Sequence, residues 1–366
     1  MKVALVHDWL TGMRGGEKCL EVFCELFPDA TLFTLLHAKG SVSPAIERME
    51  IRTSALQRMP GAARHYRYYL PLLPAIVEAW DTGGEEYDLV LSSCHAVAKG
   101  VKFPRAKRRA CYCFTPMRYV WCQAEHYYAG DWKQLALRAA RGPLRAWDLR
   151  SNRQVDEFLA ISRHVAERIR RFYGREAEVV YPPADTEFYR PPAAGAARED
   201  FWLMAGALEP YKRADLAIEA FRRWRRRLVV VGKGTMLAKL RASAPPNVEF
   251  LGWQPDEAVR ELYGKARGLV FPGEEDFGIV PLEAQACGCP VVAYGVGGAQ
   301  ETVREGETGL FFQEPTVDAL LAALGEADRR EWDPAALRAQ AGRFSRARFR
   351  EEIARRFGAG GGGGGR

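Results

Sequence analysis

Pro272-Gly273-Glu274-Glu275-Asp276-Phe277-Gly278-Ile279-Val280-Pro281-Leu282-Glu283-Ala284-Gln285-Ala286-Cys287-Gly288-Cys289-Pro290 follows the apolar run Gly268–Phe271. The order of a short apolar run, a glycine-containing loop and an apolar helical stretch predicts a buried strand that turns directly into a helix. The first N–H groups of such a helix have no partner inside it, and they favour phosphate. Gly278 lets backbone approach a ligand closely. Seven residues separate Glu275 from Glu283, which places one in the loop and the other on the first turn or two of the helix. Two carboxylates so placed can accept hydrogen bonds from sugar and ribose hydroxyls.

Outward from this stretch, short apolar runs alternate with helix-length segments, the pattern of βαβ units and parallel sheets. Strands are expected at Val3–Val6, Ala30–Thr34, Leu89–Ser92, Arg109–Cys113 and Glu157–Ile161, and again at Trp202–Ala205, Leu228–Val231, Val248–Leu251, Gly268–Phe271 and Val291–Ala293. Between the two sets Tyr181-Pro182-Pro183-Ala184-Asp185 breaks any helix or central strand. Two Rossmann-like domains follow, 1–178 and 200–342, joined by a linker at 179–199. Their strand ends are expected to face each other across a cleft, where open α/β sheets bind ligands. A C-terminal helix at 343–357, periodic from Ser345 to Phe357, precedes a glycine tail at 358–366 that is expected to be disordered.

Of the 366 residues 48% are apolar, enough for two cores. No apolar run approaches the roughly 20 residues needed to cross a bilayer. Met1-Lys2-Val3-Ala4-Leu5-Val6 reads as a first strand rather than a signal peptide, so the cytoplasm is the expected compartment. The eight cysteines lack the paired spacing of a zinc site, and reduced structural thiols are expected, with no metal. The net charge is +7. From Lys133 to Arg175 there are ten further basic side chains against four acidic ones, with Trp147 and Tyr173 among them and Trp132 just before. Such a surface suits anionic lipid headgroups or nucleic acid, and a solvated helix face has the same composition. His65-Tyr66-Arg67-Tyr68-Tyr69-Leu70-Pro71-Leu72-Leu73-Pro74 suits either a lipid surface or core packing.

In the N-terminal half, Gly15-Gly16 opens a helix soon after the first strand and can offer N–H groups to phosphates from that side. A tight turn explains the same pair.

The Glu275 to Glu283 stretch, with Pro290-Val291-Val292-Ala293-Tyr294-Gly295 and Gly297-Gly298-Ala299-Gln300-Glu301 after it, resembles the E-x7-E signature of glycosyltransferase family 4, the group 1 glycosyltransferases. The similarity runs over the whole chain except the glycine tail. It implies a GT-B fold, retention at the anomeric carbon and a nucleotide-sugar donor. Glu283 would hold the ribose, and Glu275 with Phe277 and Gly278 the donor sugar. The N–H groups of Ile279 and Val280 would meet the diphosphate, and Trp253, in Gly252-Trp253-Gln254, would border the base. Gly206-Ala207-Leu208-Glu209-Pro210-Tyr211-Lys212 resembles the family segment in which an Arg and a Lys five residues later grip the diphosphate. Lys212 matches the Lys, whereas Ala207 stands where the Arg is expected, and Arg213 would point about 100° away.

His95, in Ser92-Ser93-Cys94-His95, resembles the family histidine that faces the donor sugar. His95, Lys212 and Glu275 are thus the expected catalytic set. In Cys111-Tyr112-Cys113-Phe114-Thr115-Pro116-Met117-Arg118-Tyr119-Val120-Trp121-Cys122, Arg118 and Tyr119 would border the acceptor. Phe114 and Cys122 replace the His and Asp of relatives. The Pro-Tyr-Lys-Arg and Arg-Tyr-Val-Trp segments look most like bacterial O-antigen and exopolysaccharide mannosyltransferases. They suggest GDP-mannose as donor, a lipid-linked saccharide as acceptor, peripheral contact with the cytoplasmic membrane face, no nucleic-acid partner and no cofactor. The departures at Ala207, Phe114 and Cys122 equally describe a non-catalytic GT-B sugar-nucleotide-binding or scaffolding partner. A sugar-nucleotide epimerase fits the Glu275/Glu283 loop less well.

Overall fold

The apolar runs become two sheets whose paired strands are all parallel. β1 (Val3–His7), β2 (Thr31–Thr34), β3 (Glu50–Thr53), β4 (Leu89–Cys94), β5 (Arg109–Cys113), β6 (Glu157–Ala160) and β7 (Ala177–Val179) lie in the order β3-β2-β1-β4-β5-β6-β7. β8 (Trp202–Ala205), β9 (Leu228–Val231), β10 (Val248–Gly252), β11 (Gly268–Phe271), β12 (Val291–Tyr294) and β13 (Gly309–Phe312) lie in the order β10-β9-β8-β11-β12-β13. The structure, a computed structural model, describes residues 1–122, 132–192 and 198–358. The glycine tail from 359 on, and linker positions 193–197, lie outside the described residues.

All ten expected strands form, four with the expected bounds and the others with an end shifted by one or two residues. The three that were not expected, β3, β7 and β13, each sit at a sheet edge. β3 and β7 are half-buried and short, so neither has the continuous apolar run that marks a strand buried on both faces.

The chain divides into two compact units, one from Met1 to Pro182 completed by the chain from Phe349 on, the other Pro183–Arg348. The terminal helix, Arg346–Phe357, buries Phe349, Ile353 and Phe357 at i, i+4 and i+8. Phe349 packs 5.7 Å from the Phe23 ring, and Arg356 ion-pairs with Glu157 at 3.1 Å. In the second unit the helix Ala214–Trp224 buries Leu216, Ile218 and Phe221 against the sheet. No helix among the described residues is long and apolar enough to cross a membrane.

In both sheets the chain winds outward from the first strand and then reverses. The reversal falls between β1 and β4 in one and between β8 and β11 in the other. Loops leaving such neighbouring strands in opposite directions open a crevice at the strands' C-terminal ends, the usual ligand position in doubly wound sheets.

Candidate functional site

At the β8/β11 reversal, Lys212 and Glu275 meet. Pro210–Lys212 forms a single 3-10 turn, and the Lys212 ammonium ion-pairs with Glu275 Oε1, both side chains less than one-fifth exposed. The ammonium also lies 5.4 Å from the Tyr211 ring centre and 5.9 Å from that of Phe271. Arg213 takes a left-handed backbone (φ 53°) and pairs with Asp215 at 3.3 Å instead.

Glycines allow this loop to close. A Cβ at Gly273 would sit 2.6 Å from the Tyr211 carbonyl oxygen and 2.7 Å from the Lys212 Cα, so only glycine lets the β11 loop lie against the Lys212 turn. A Cβ at Gly298 would fall 2.2 Å from the Phe277 Cα, and the Gly298 N–H donates to the Glu275 carbonyl at 2.8 Å. Gly273→Ala should therefore cost about 1–3 kcal/mol by overpacking, seen as a melting temperature lower by several degrees. An unchanged melting curve would contradict the packing described.

Gly278, at φ 96°, caps the helix Ile279–Ala286, whose first N–H groups belong to Ile279 and Val280. Every residue from Pro281 to Ala286 is buried, Glu283 included at 7% exposure. Burial first, and the Glu283 charge next, raise the Tyr189 and Tyr263 hydroxyls, which keeps both phenols protonated beside that carboxylate.

Ala207 is exposed at the end of β8, and its loop runs against the one after β9, with the Leu208 N–H donating to the Lys233 carbonyl at 3.1 Å. The Lys233 ammonium lies 5.5 Å from the ring centre of Trp253, which is 64% exposed after β10. Glu275, Phe277, Gly278, Ile279 and Val280 thus share one strand-to-helix junction, Lys212 meets it from the turn after β8, and Trp253 stands on the loop beyond β10.

The first unit builds its own cluster at the β1/β4 reversal. Asp8, fully buried, accepts N–H bonds from His95 (2.7 Å) and Ala96 (3.0 Å) at Oδ2 and from Val97 (2.7 Å) and Ala98 (2.8 Å) at Oδ1. His95 Nδ1 lies 3.0 Å from the same Oδ2. Burial opposes the Asp8 charge, but His95 and these donors outweigh it and hold the carboxyl well below the usual range. His7 Nδ1 is 2.7 Å from Ser93 Oγ, and its Nε2 is 3.9 Å from buried Glu17. Glu17 Oε2 in turn accepts the Arg14 N–H at the start of the helix Gly15–Leu26. A Cβ at Gly16 would touch the Phe114 ring at 3.3 Å, whereas Gly15 faces open space. Asp8, His7, Glu17 and Ser93 carried no role in the sequence reading. Their signal was a polar pair, His7-Asp8, at the end of a wholly apolar strand.

On the segment expected to border the acceptor, Arg118 is half-buried and Tyr119 buried. The segment is anchored from beneath: Trp121 Nε1 and Tyr173 Oη both donate to Asp148 Oδ2, while buried Lys99 pairs with Asp148 Oδ1 at 2.7 Å. Arg141 and Arg145 donate to the Val120 carbonyl, and Arg175 to three carbonyls at residues 152–156. Three basic side chains of the stretch read from the sequence therefore bind backbone carbonyls.

All eight cysteines are free, and burial pushes Cys24, Cys287 and Cys289 up to about 12, leaving protonated, unreactive thiols. Among the described residues no group of three or more His, Cys, Asp or Glu side chains is placed to hold a metal ion.

Comparison with known proteins bears on the second unit most directly. Residues 185–344 match the family model described as "Glycosyl transferases group 1". D-inositol 3-phosphate glycosyltransferase of Nocardia farcinica is 32% identical over 209 residues, 48% of this chain and 46% of that one. A GDP-mannose-dependent alpha-(1-6)-phosphatidylinositol monomannoside mannosyltransferase of Mycolicibacterium smegmatis is 32% identical over 230 residues, 55% of this chain and 59% of that one. The chain spans about half the length of the curated relatives it matches. The crystal structure of Anabaena Alr3699/HepE with UDP and glucose superposes on 98% of this chain and 100% of its own, with a TM-score of 0.71 at 19% identity. Two parallel sheets of this order and that superposition give the chain the GT-B fold, and the stretch that carries Lys212, Glu275 and Glu283 lies within the residues similar to the group 1 glycosyltransferases.

Proposed function

We propose that this protein is a retaining, metal-independent glycosyltransferase that moves a sugar, mannose from GDP-mannose as the favoured donor, onto a lipid-linked saccharide in bacterial surface-polysaccharide synthesis. The observation that carries the proposal is the Lys212–Glu275 pair beside the N-terminus of the helix Ile279–Ala286. A departing nucleoside diphosphate gains negative charge, and an ammonium with aligned helix N–H groups is suited to receive it. Glu275 then binds donor-sugar hydroxyls, Glu283 the ribose, and Trp253 borders the base. Within the first unit, Gly15 and Gly16 offer N–H groups suited to phosphate, and His95 offers a ring nitrogen suited to a sugar hydroxyl. With both carboxylates engaged in binding, a same-face displacement fits: the bond from the anomeric carbon to the phosphate oxygen breaks, the acceptor hydroxyl oxygen bonds that carbon on the same face, and the leaving phosphate oxygen takes the acceptor's proton.

The names of the relatives support the finer reading. One is GDP-mannose-dependent and acts on a phosphatidylinositol mannoside, which favours both the donor and a lipid acceptor. Exposed Tyr68 and Leu72, near Arg67, favour peripheral contact with a membrane face from the cytoplasmic side. A second reading, a non-catalytic sugar-nucleotide-binding or scaffolding partner, draws on exposed Ala207 and on Phe114 packed over Gly16.

The test is transfer from GDP-, UDP- and dTDP-sugars to a lipid-linked saccharide, with EDTA present throughout. Transfer from GDP-mannose at full rate in chelator is expected, because Lys212 and helix N–H groups carry the neutralising charge. Activity that stops in EDTA and returns with Mg²⁺ or Mn²⁺ would refute the metal-free mechanism. Nucleotide binding without transfer from any donor would favour the scaffold.

A further inference from the structure

Asp8 spends a fully buried carboxylate on one short turn. Its two oxygens receive four consecutive backbone N–H groups, from His95 to Ala98, and the His95 ring nitrogen Nδ1 at 3.0 Å. Every contact comes from the loop after β4, the strand beside β1. The Trp9 ring meets the His95 ring edge-on at 4.7 Å and holds it from another side. The His95 side chain is nevertheless 22% exposed, so the imidazole is gripped at one edge and open at another.

We infer that Asp8 is a positioning residue for sugar transfer, one that holds His95 in its Nδ1–H tautomer and leaves Nε2 as a hydrogen-bond acceptor for a donor-sugar hydroxyl. The inference rests on the reading that His95 faces the donor sugar. A neutral imidazole carries one N–H, and the nitrogen that bears it is set by the bond the other edge makes. A carboxylate at Nδ1 can only accept, so the proton resides there and Nε2 keeps its lone pair. That lone pair attracts a hydroxyl proton and repels carboxylate or phosphate oxygen. Donors with a hydroxyl at the contacted position are thereby favoured over uronic-acid counterparts.

Asparagine cannot replace this group. Its amide nitrogen would face N–H donors whichever way it turned, because both Asp8 oxygens already accept at least two. Asp8→Asn and Asp8→Ala should therefore behave alike. A carboxylate that orients a histidine typically contributes about 10–100-fold, so kcat should fall by that factor in either variant. Nucleotide affinity, for which Lys212 and Glu283 are the main side chains proposed, should stay within about twofold.

The deciding measurement is the ¹⁵N spectrum of histidine-labelled native protein, with the His95 signals identified by their loss in His95→Gln. A protonated Nδ1 and a bare Nε2 are expected in the neutral ring, and both Asp8 variants should show mixed tautomers in a folded protein. An Nε2–H tautomer in the native protein, or folded Asp8→Ala with native kcat, would overturn the inference. Should neither variant fold, the native spectrum still decides it. If the native tautomer is as expected but no donor supports transfer, the transferase reading falls and the tautomer assignment stands.

Discussion

Replacement of Lys212 by alanine should lower transfer by about 10²–10³, the effect of removing one preorganised charge partner from a developing anion. The ammonium is held by Glu275 and by the Tyr211 and Phe271 rings, so little reorganisation is needed as the diphosphate leaves. Ground-state donor affinity should weaken less than kcat, because the charge on the leaving group grows toward the transition state. Ala207 lies on the same loop, exposed, where the resemblance set out above leads to the expectation of an arginine. Ala207→Arg should accordingly raise turnover, by up to about tenfold for one added charge-assisted bidentate contact. It should also restore part of the activity lost in Lys212→Ala. The measurement is transfer rate for the native protein, both single variants and the double variant. An active native enzyme indifferent to Lys212→Ala would refute the diphosphate assignment. A protein inactive in all four forms, yet binding nucleotide, is the scaffold.

Glu283→Ala should weaken nucleotide binding about 10–100-fold, the equivalent of losing hydrogen bonds to a charged group worth about 1.5–3 kcal/mol. Glu283 is nine-tenths buried on a helix whose residues from Pro281 to Ala286 are all buried, where a smaller apolar side chain avoids the cost of desolvating a charge. Removing it should therefore leave the fold intact, and the melting temperature should shift by only a few degrees in either direction. Glu283→Gln keeps the shape and one acceptor, so it should fall between the native protein and the alanine variant. Titration calorimetry with GDP checks both. Native affinity in folded Glu283→Ala would exclude the ribose role.

The three strands missing from the sequence reading show where local pattern stops carrying information. Glu50-Ile51-Arg52-Thr53 and Ala177-Glu178-Val179 are edge strands, paired on one side only and half-exposed. Edge strands favour charged, mixed sequences, and these resemble loops until a neighbouring strand is known. Gly309–Phe312 is apolar but short, and its glycine reads as a turn. It is in fact required by the sheet, since a Cβ at Gly309 would lie 2.1 Å from the Val291 carbonyl oxygen. The terminal helix is similar: its i, i+4, i+8 apolar stripe predicts a buried face, but not that the face would cover Phe23 in the first unit.

By itself the sequence determined the class of fold, two parallel α/β sheets, and the strand-loop-helix junction from Gly268 to Ala286. Both are encoded locally, in apolar runs, their lengths and the glycines between them. Only the tertiary structure decided which distant residues meet. Lys212 touches Glu275 because β8 and β11 are neighbours at the sheet reversal, and Gly273 leaves room for the two loops to touch. Asp8 grips His95 because β1 pairs with β4 in a register that sets His7 opposite Ser93. Strand order and register are collective properties of the packed sheet, so no window along the chain contains them.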